Sequence, residues 1–296
     1  MPSILAHQST QSTKLLLIGD SGAGKTGALF SLAKAGYNIR LVDFDNGADA
    51  LASLARDDLK AAENIIYETF TDKFKSLNGR VIPDGLPTAF SRALNMMTHW
   101  KVPGADGYDL GKVSDWGPKD ILVIDSLTHM SLAAFRLVLA MNNRLGQQPQ
   151  MQDWGIAQDQ IESTLSMLYS TSIKCNVIVI SHVSYIGGEE DNPVPARGLP
   201  TSLGKALSPK IGSYFNTILL AKTTGTGAGS KRKIITRPDG LIGLKHSAPG
   251  RLQAEYPQET GLASIFAILR AGGAAPLIRE SIDIDSKLIS PGGLTT

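Results

Sequence analysis

Gly19-Asp20-Ser21-Gly22-Ala23-Gly24-Lys25-Thr26 follows the pattern G-x-x-x-x-G-K-[ST]. It lies between an apolar run, Lys14 to Ile18, and a helix-like stretch, Thr26 to Ala35, that stops at Gly36. The run reads as a buried strand, so the octapeptide occupies a strand-to-helix turn, the setting in which this pattern cradles phosphate. Glycines at 22 and 24 let successive backbone N–H groups curl around phosphate oxygens, and the helix adds the positive end of its dipole. Lys25 is expected to reach the β- and γ-phosphates of ATP, and the Thr26 hydroxyl to hold Mg²⁺. The expected phosphate-contacting set is Gly19, Asp20, Ser21, Gly22, Ala23, Gly24, Lys25, Thr26 and Gly27.

Around this loop, 296 residues leave room for one large α/β domain or two ordinary ones. The chain is 42% hydrophobic and 19% charged, which argues against extensive disorder. A net charge of +2 predicts neither a nucleic-acid nor a membrane partner, so any basic site must be local. The one cysteine, Cys175, has no internal disulfide partner and reads as a small buried thiol, consistent with a cytoplasmic setting. The first thirteen residues lack a basic region followed by a long apolar core, and no stretch reaches the roughly 18 apolar residues of a membrane span. Neither export nor a membrane anchor is expected.

Strand and helix patterns alternate along the chain. Asn38 to Phe44 reads as a second strand ending in acids, followed by a helix-like ADALASLARDDLKAA, a strand at Ile65 to Phe70 and a helix at Thr88 to Trp100. Val102 to Lys119 reads as a Gly/Pro/Asp-rich inserted loop. Ile121 to Ile124 and Asn176 to Ile180 are continuous apolar runs, the pattern of parallel strands buried on both faces. Helices are expected on either side of Gly146 to Asp153, the second spanning about Gly155 to Ser172 with Ile161, Leu165 and Leu168 on one face. The fold class is therefore α/β with a mainly parallel sheet flanked by helices, its ligand beyond the carboxyl ends of the strands. Phe215 to Lys222 and Lys233 to Arg237 form a C-terminal β-hairpin region, about residues 214–251, and a helix follows at Gly261 to Ala271. Residues 1–13 read as a flexible tail, 14–271 as the domain, and 272–296 as a second tail or docking arm.

The sheet edge gathers the chemistry. Asp125, ending ILVID, is the candidate acid for the Mg²⁺ shell; the competing reading is a helix N-cap, a role Ser126 could share. Asp43 and Asp45 end the second strand, next to the first in many such sheets. Asp45 is preferred for orienting water in line with the γ-phosphate, against solvated turn residues as the alternative. His182 follows NVIVIS and could sense the γ-phosphate, or be a satisfied structural histidine. Lys222, Lys231, Arg232, Lys233, Arg237, Lys245 and Arg251, against the lone acid Asp239, form a local basic segment. It could meet nucleic-acid phosphates, complete a neighbour's ATP site, or be a solvated face.

The spaced set GDSGAGKT, LVDFDNGADAL, ILVIDSLTHM, VIVISHV and LPTSLGKALSPKIGSYFNTILLAK, spanning about Leu15 to Lys222, resembles the RecA-like P-loop ATPases. The likeness is greatest to the short phage-encoded ATP-binding proteins of recombination and single-strand annealing. The resemblance implies that Lys25, Asp45, Asp125 and His182 carry catalysis and that Thr26 and Asp125 hold Mg²⁺. Asp45 stands where the family commonly has Glu, a shorter arm for water activation. A first DNA loop would lie at about Asn142 to Trp154, with Arg144, and a second at about Ser184 to Lys205, with Arg197 and Lys205. The acidic trio Glu189, Glu190 and Asp191 departs from a simple phosphate-binding surface there. Lys231, Arg232 and Lys233 are further DNA-binding candidates.

The resemblance also implies a ring or filament of identical subunits, with Arg237 and Lys245 acting in trans, and a single-strand-binding or other replication protein as partner. The expected activity is a slow or DNA-stimulated ATPase that binds single-stranded DNA under ATP control. Rival readings are a nucleotide-dependent assembly or adaptor protein, a packaging or helicase-type motor, and a small-molecule kinase.

Overall fold

A computed structural model of the chain describes residues 12–187 and 196–270. The expected tails fall outside these residues, except Ser12 and Thr13, which are buried, and so does the acidic trio at 189–191. The elements in chain order are β1 (Lys14–Ile18), α1 (Lys25–Ala28), α2 (Phe30–Lys34), β2 (Asn38–Asp43), α3 (Asp49–Ala55), α4 (Leu59–Ala62), β3 (Ile65–Thr69), β4 (Phe74–Leu77) and β5 (Arg80–Pro83). Next come α5 (Ala89–Thr98), β6 (His99–Val102), β7 (Tyr108–Lys112), β8 (Asp120–Asp125), α6 (Leu127–Met141), α7 (Met151–Tyr169) and β9 (Asn176–Ser181). The remainder are β10 (Val183–Ile186), β11 (Arg197–Pro200), α8 (Gly204–Ile211), β12 (Thr217–Thr224), β13 (Lys231–Ile235), β14 (Glu255–Pro257) and α9 (Gln258–Arg270).

Eight strands form one sheet in the order β14-β13-β12-β1-β9-β8-β2-β3. The six from β12 to β3 run parallel, and β13 and β14 extend the sheet antiparallel at one side. This is the expected α/β architecture. Successive side chains of a strand point to opposite faces, and both faces are covered here. Leu16, Ile18, Val42, Leu122, Ile124, Val177 and Val179 pack into one core with α5, α6 and α7. Leu15, Leu17, Ile39, Leu41, Ile121, Val123, Ile178 and Ile180 pack into the other with α1, α2 and α9. Two-sided burial explains why these strands read as unbroken apolar runs.

Several sequence expectations need correcting. The second strand is not beside the first: β1 pairs with β9 and β12, while β8 and β9 stand between β1 and β2. Val102 to Lys119 is not simply a loop, because β6 and β7 form a hairpin there, with Trp100 wholly buried against Trp116. ADALASLARDDLKAA is split, and Asp58 caps α4 by accepting from the Ala61 N–H. The helix after Gly146 starts at Met151 rather than Gly155, because Asp153 is recruited into its N-terminal capping box with Gln150. The last helix starts at Gln258, three residues earlier than expected.

Candidate functional site

The phosphate loop joins β1 to α1, and its glycines are required by conformation and by space. Gly22 and Gly24 have φ of 76° and 84°, in the left-handed region that costs an L-residue energy. A Cβ on Gly24 would also come within 2.7 Å of Gln258 Nε2 and 2.8 Å of Arg232 Cδ. A Cβ on Gly19 would meet the Ala221 carbonyl oxygen at 2.4 Å, so β12 packs tightly against the loop's start.

Lys25 lies almost buried under the loop. Its ammonium donates to the carbonyls of Gly19 at 2.9 Å and Asp20 at 2.8 Å, and stands 3.4 Å from His182 Nδ1. Burial lowers its pKa, an effect that Asp125, Asp45 and Asp20 oppose. Thr26 donates its hydroxyl proton to Asp125 Oδ2 at 2.5 Å. Asp125 is 3% exposed, and desolvation pushes its carboxyl up to about 6 despite that hydrogen bond. These adjacent oxygens, with the unpaired buried Asp43 Oδ2 on the neighbouring strand, suit a hard divalent cation such as Mg²⁺. Ser126 takes the N-cap of α6, accepting from the His129 N–H, so the acidic and capping roles fall on successive residues.

Asp43 Oδ1 accepts the N–H groups of Asp45 and Gly47, shaping the turn that carries Asp45 toward β8 and β9. There Asp45 Oδ1 accepts from the Ser126 hydroxyl at 2.8 Å and N–H at 3.1 Å, and lies 2.6 Å from His129 Nδ1. Its Oδ2 lies 3.4 Å from His182 Nε2. Burial works against ionisation of Asp45, but hydrogen bonds from His129, His182 and Ser126 prevail and hold its carboxyl well below the usual range. His129 is raised in turn, chiefly by its bond to Asp45.

Lys25, Thr26, Asp45, Asp125 and His182 thus meet at one edge, lining a cleft of about 720 Å³ with Ser21, Gly22, Gly24 and Gly27. His129 was not among the sequence candidates. The signal for it was available, because Ser126 as N-cap puts residue 129 in the first helical turn. Gln258 was also missed; its amide donates to the Gly24 carbonyl at 2.7 Å across 234 residues, with no motif to announce it. Arg232, read from sequence as a DNA contact, lines this cleft as well.

The other basic candidates are dispersed. Arg144 is held by Asp153, with its Nε 2.7 Å from Asp153 Oδ2, inside the α6–α7 junction. Arg197 is exposed on β11 and Lys205 on α8, whereas Lys231 and Lys233 lie on β13, the latter paired with Glu255. Arg237 and Lys245 are exposed, and neither lines the phosphate-loop cleft.

An AAA domain family model matches residues 11–242. The chain belongs to the AAA domain family. The match takes in the phosphate loop, Asp45, Asp125, His129, His182 and Arg232 but ends before Gln258. No curated protein matches the chain. Among solved structures it is similar to a KaiC-like protein from Pyrococcus horikoshii OT3, at 15% identity and a TM-score of 0.38 over 85% of this chain and 88% of that one. It is also similar to the flagellar accessory protein FlaH of Methanocaldococcus jannaschii, at 8% identity and 0.41 over the same shares. A third is an ATPase from the type III secretion system of pathogenic bacteria, at 14% identity and 0.41, over 74% of this chain and 56% of that one. Among the described residues, no helix is long and apolar enough to cross a membrane.

Proposed function

We propose that this AAA domain protein is an ATPase that binds single-stranded DNA under ATP control, in a recombination, annealing or replication step of the phage type. The observation that carries the reading is the contact chain Lys25–His182–Asp45 at the phosphate loop. ATP would occupy the cleft with its phosphates on the loop, and Thr26 and Asp125 would hold Mg²⁺, which when bound neutralises phosphate charge. Lys25 would exchange the carbonyls of Gly19 and Asp20 for phosphate oxygens and so leave His182 Nδ1. Asp45, oriented by Ser126 and His129, would align water and take its proton.

His182 is tied by its backbone to the segment beyond β9, since its carbonyl accepts from the Thr201 N–H at 2.8 Å. A change at its ring therefore bears on the β10–β11 hairpin, which presents exposed Tyr185 and Arg197. By register Tyr185 lies opposite Gly198 and Arg197 opposite Ile186, so the aromatic ring and the cation occupy opposite faces of the hairpin, the one suited to stacking on a base and the other to neutralising a phosphate. Assembly into a ring or filament, with Arg237 or Lys245 reaching a neighbour's nucleotide, and a single-strand-binding or other replication protein as partner, belong to the same proposal.

Oligonucleotide affinity with and without a non-hydrolysable ATP analogue, measured across salt, tests it. Expected is tighter, salt-dependent binding with the analogue, lost in Lys25→Ala; absence of salt-dependent binding in every nucleotide state overturns the DNA reading. One observation favours a second reading, a nucleotide-dependent assembly or adaptor protein with weak turnover. The hydrogen bonds that keep Asp45 ionised also make it a weak base. ATP-dependent capture of a protein partner, with turnover indifferent to DNA, selects that reading.

A further inference from the structure

Asp45, His129 and His182 come from three separate elements: the turn after β2, the first turn of α6 and the end of β9. Each offers one ligand-type atom, and the three atoms lie within 4.8 Å of one another. Asp45 Oδ1 lies 2.6 Å from His129 Nδ1 and the carboxylate's other oxygen, Oδ2, lies 3.4 Å from His182 Nε2, so each imidazole nitrogen faces a different oxygen of Asp45. The ligand atoms of a tetrahedral ion stand roughly 3.3 Å apart for bonds of about 2.0 Å, so an ion would seat here with a slight opening of the His129–Asp45 contact. We propose that Asp45, His129 and His182 form a second cation site, distinct from the all-oxygen Thr26–Asp125 pair, for an imidazole-preferring divalent ion of the zinc class.

Donor chemistry separates the two sites. Two imidazoles and a carboxylate favour zinc-class ions, whereas Mg²⁺ prefers oxygen. Three protein ligands leave a fourth position for water or a substrate oxygen, and Asp45 and His182 both line the phosphate-loop cleft, which provides an entry path. The ligands are supported from behind. Ser126 gives Asp45 two hydrogen bonds, the Thr128 hydroxyl accepts from the His182 N–H at 3.3 Å, and His129 is fixed at the N-terminus of α6. Such outer contacts hold metal ligands in register.

Lys25 couples this site to the loop. An ammonium can only donate, so at 3.4 Å it makes His182 Nδ1 the acceptor and leaves the ring proton on Nε2, facing Asp45. Ligation through Nε2 sends that proton to Nδ1 or to solvent and sets the ion's charge near Lys25. Lys25 in this position therefore opposes the ion, and removing it should tighten binding.

The competing role for the histidines, orienting Asp45 by hydrogen bonds alone, is separable by isosteres. His129→Asn keeps an N–H donor near the Nδ1 position and His182→Gln keeps one near Nε2, but neither amide is a good zinc-class ligand. Folding of each variant is checked by thermal melting. The test is titration of Zn²⁺ by calorimetry, and of Co²⁺ by visible absorption, into the full chain free of nucleotide and Mg²⁺. Expected is one ion with tetrahedral Co²⁺ bands, weakened on the order of 100-fold by His129→Asn and by His182→Gln. Asp125→Asn should leave that affinity within about threefold, and Lys25→Ala should raise it several-fold. No saturable binding, affinity in the two isosteric variants equal to the parent chain's, or a comparable loss in Asp125→Asn overturns the site. The readout involves neither ATP nor DNA, so its failure would leave the ATPase reading standing, and failure of that reading would leave the ion site intact.

Discussion

A carboxyl as deeply buried as Asp125, with its pKa pushed up to about 6, holds its proton more tightly in the folded chain than in the unfolded one. The folded state then binds more protons than the unfolded state between about pH 4 and about pH 6, so stability falls as pH rises through that window. The penalty is complete at neutral pH and amounts to about 2–3 kcal/mol. Asp125→Asn removes it and still offers an oxygen to the Thr26 hydroxyl. Ligand-free Asp125→Asn should therefore melt several degrees above the parent at pH 7.5, and the gap should close near pH 4. The same variant should lose stabilisation by Mg²⁺ with ATP. A gap independent of pH would show that desolvation of the carboxylate is not its cause.

At the scale of elements, α9 and the α6–α7 junction carry separate predictions. The Gln258 amide at the start of α9 holds the Gly24 carbonyl, and its side chain fills the space where a Cβ on Gly24 or Gly27 would lie. A net hydrogen bond of about 1 kcal/mol corresponds to roughly fivefold in affinity. Gln258→Ala should weaken ATP binding by about that factor in equilibrium titration, whereas Gly24→Ala, which also meets the left-handed φ, should abolish it. Unchanged affinity in Gln258→Ala would mean that the loop holds its shape without α9. At the other junction Asp153 is wholly buried, caps α7 and binds both Arg144 and Asn142. Arg144→Ala should lower Tm while leaving oligonucleotide affinity near the parent's; a large affinity loss at unchanged Tm would restore Arg144 as a DNA contact.

The same elements show what could be read in advance. LLLI, ILVI and NVIVI announced β1, β8 and β9 because parallel strands covered on both faces have no polar side to interrupt them. The β4–β5 hairpin also left a mark, in the Asn78-Gly79 pair with φ of 50° and 74° that its tight turn requires, and that mark went unread. Strand neighbours left none. Register between β2 and β8 depends on contacts over some eighty residues, and a local pattern carries no information about which strand lies beside which. The site followed the same division: Lys25, Thr26 and Asp125 sit in local motifs, His129 is set by a cap, and Gln258 arrives from the far end of the fold.

For the whole molecule, the proposed DNA surface rests on dispersed cations rather than on net charge, and salt is the means of counting them. Arg197→Ala and Lys205→Ala should each reduce the slope of log affinity against log salt by about 0.7, the value for one single-strand phosphate contact, with little sequence dependence. Slopes unchanged in both variants would move the DNA surface away from the β10–β11 hairpin and α8.

The strand order bears on when the loop can work. Residues 14–26 are synthesised well ahead of the strands that flank them: β1 sits between β9 and β12, so its two neighbours are made about 160 and 200 residues later. A nascent chain therefore carries its phosphate-binding sequence long before it has walls to hold that sequence in shape, and α9 adds the final clasp at Gly24. The topology acts as a timer: nucleotide cannot be captured productively until almost the entire sheet has been synthesised and closed around its first strand.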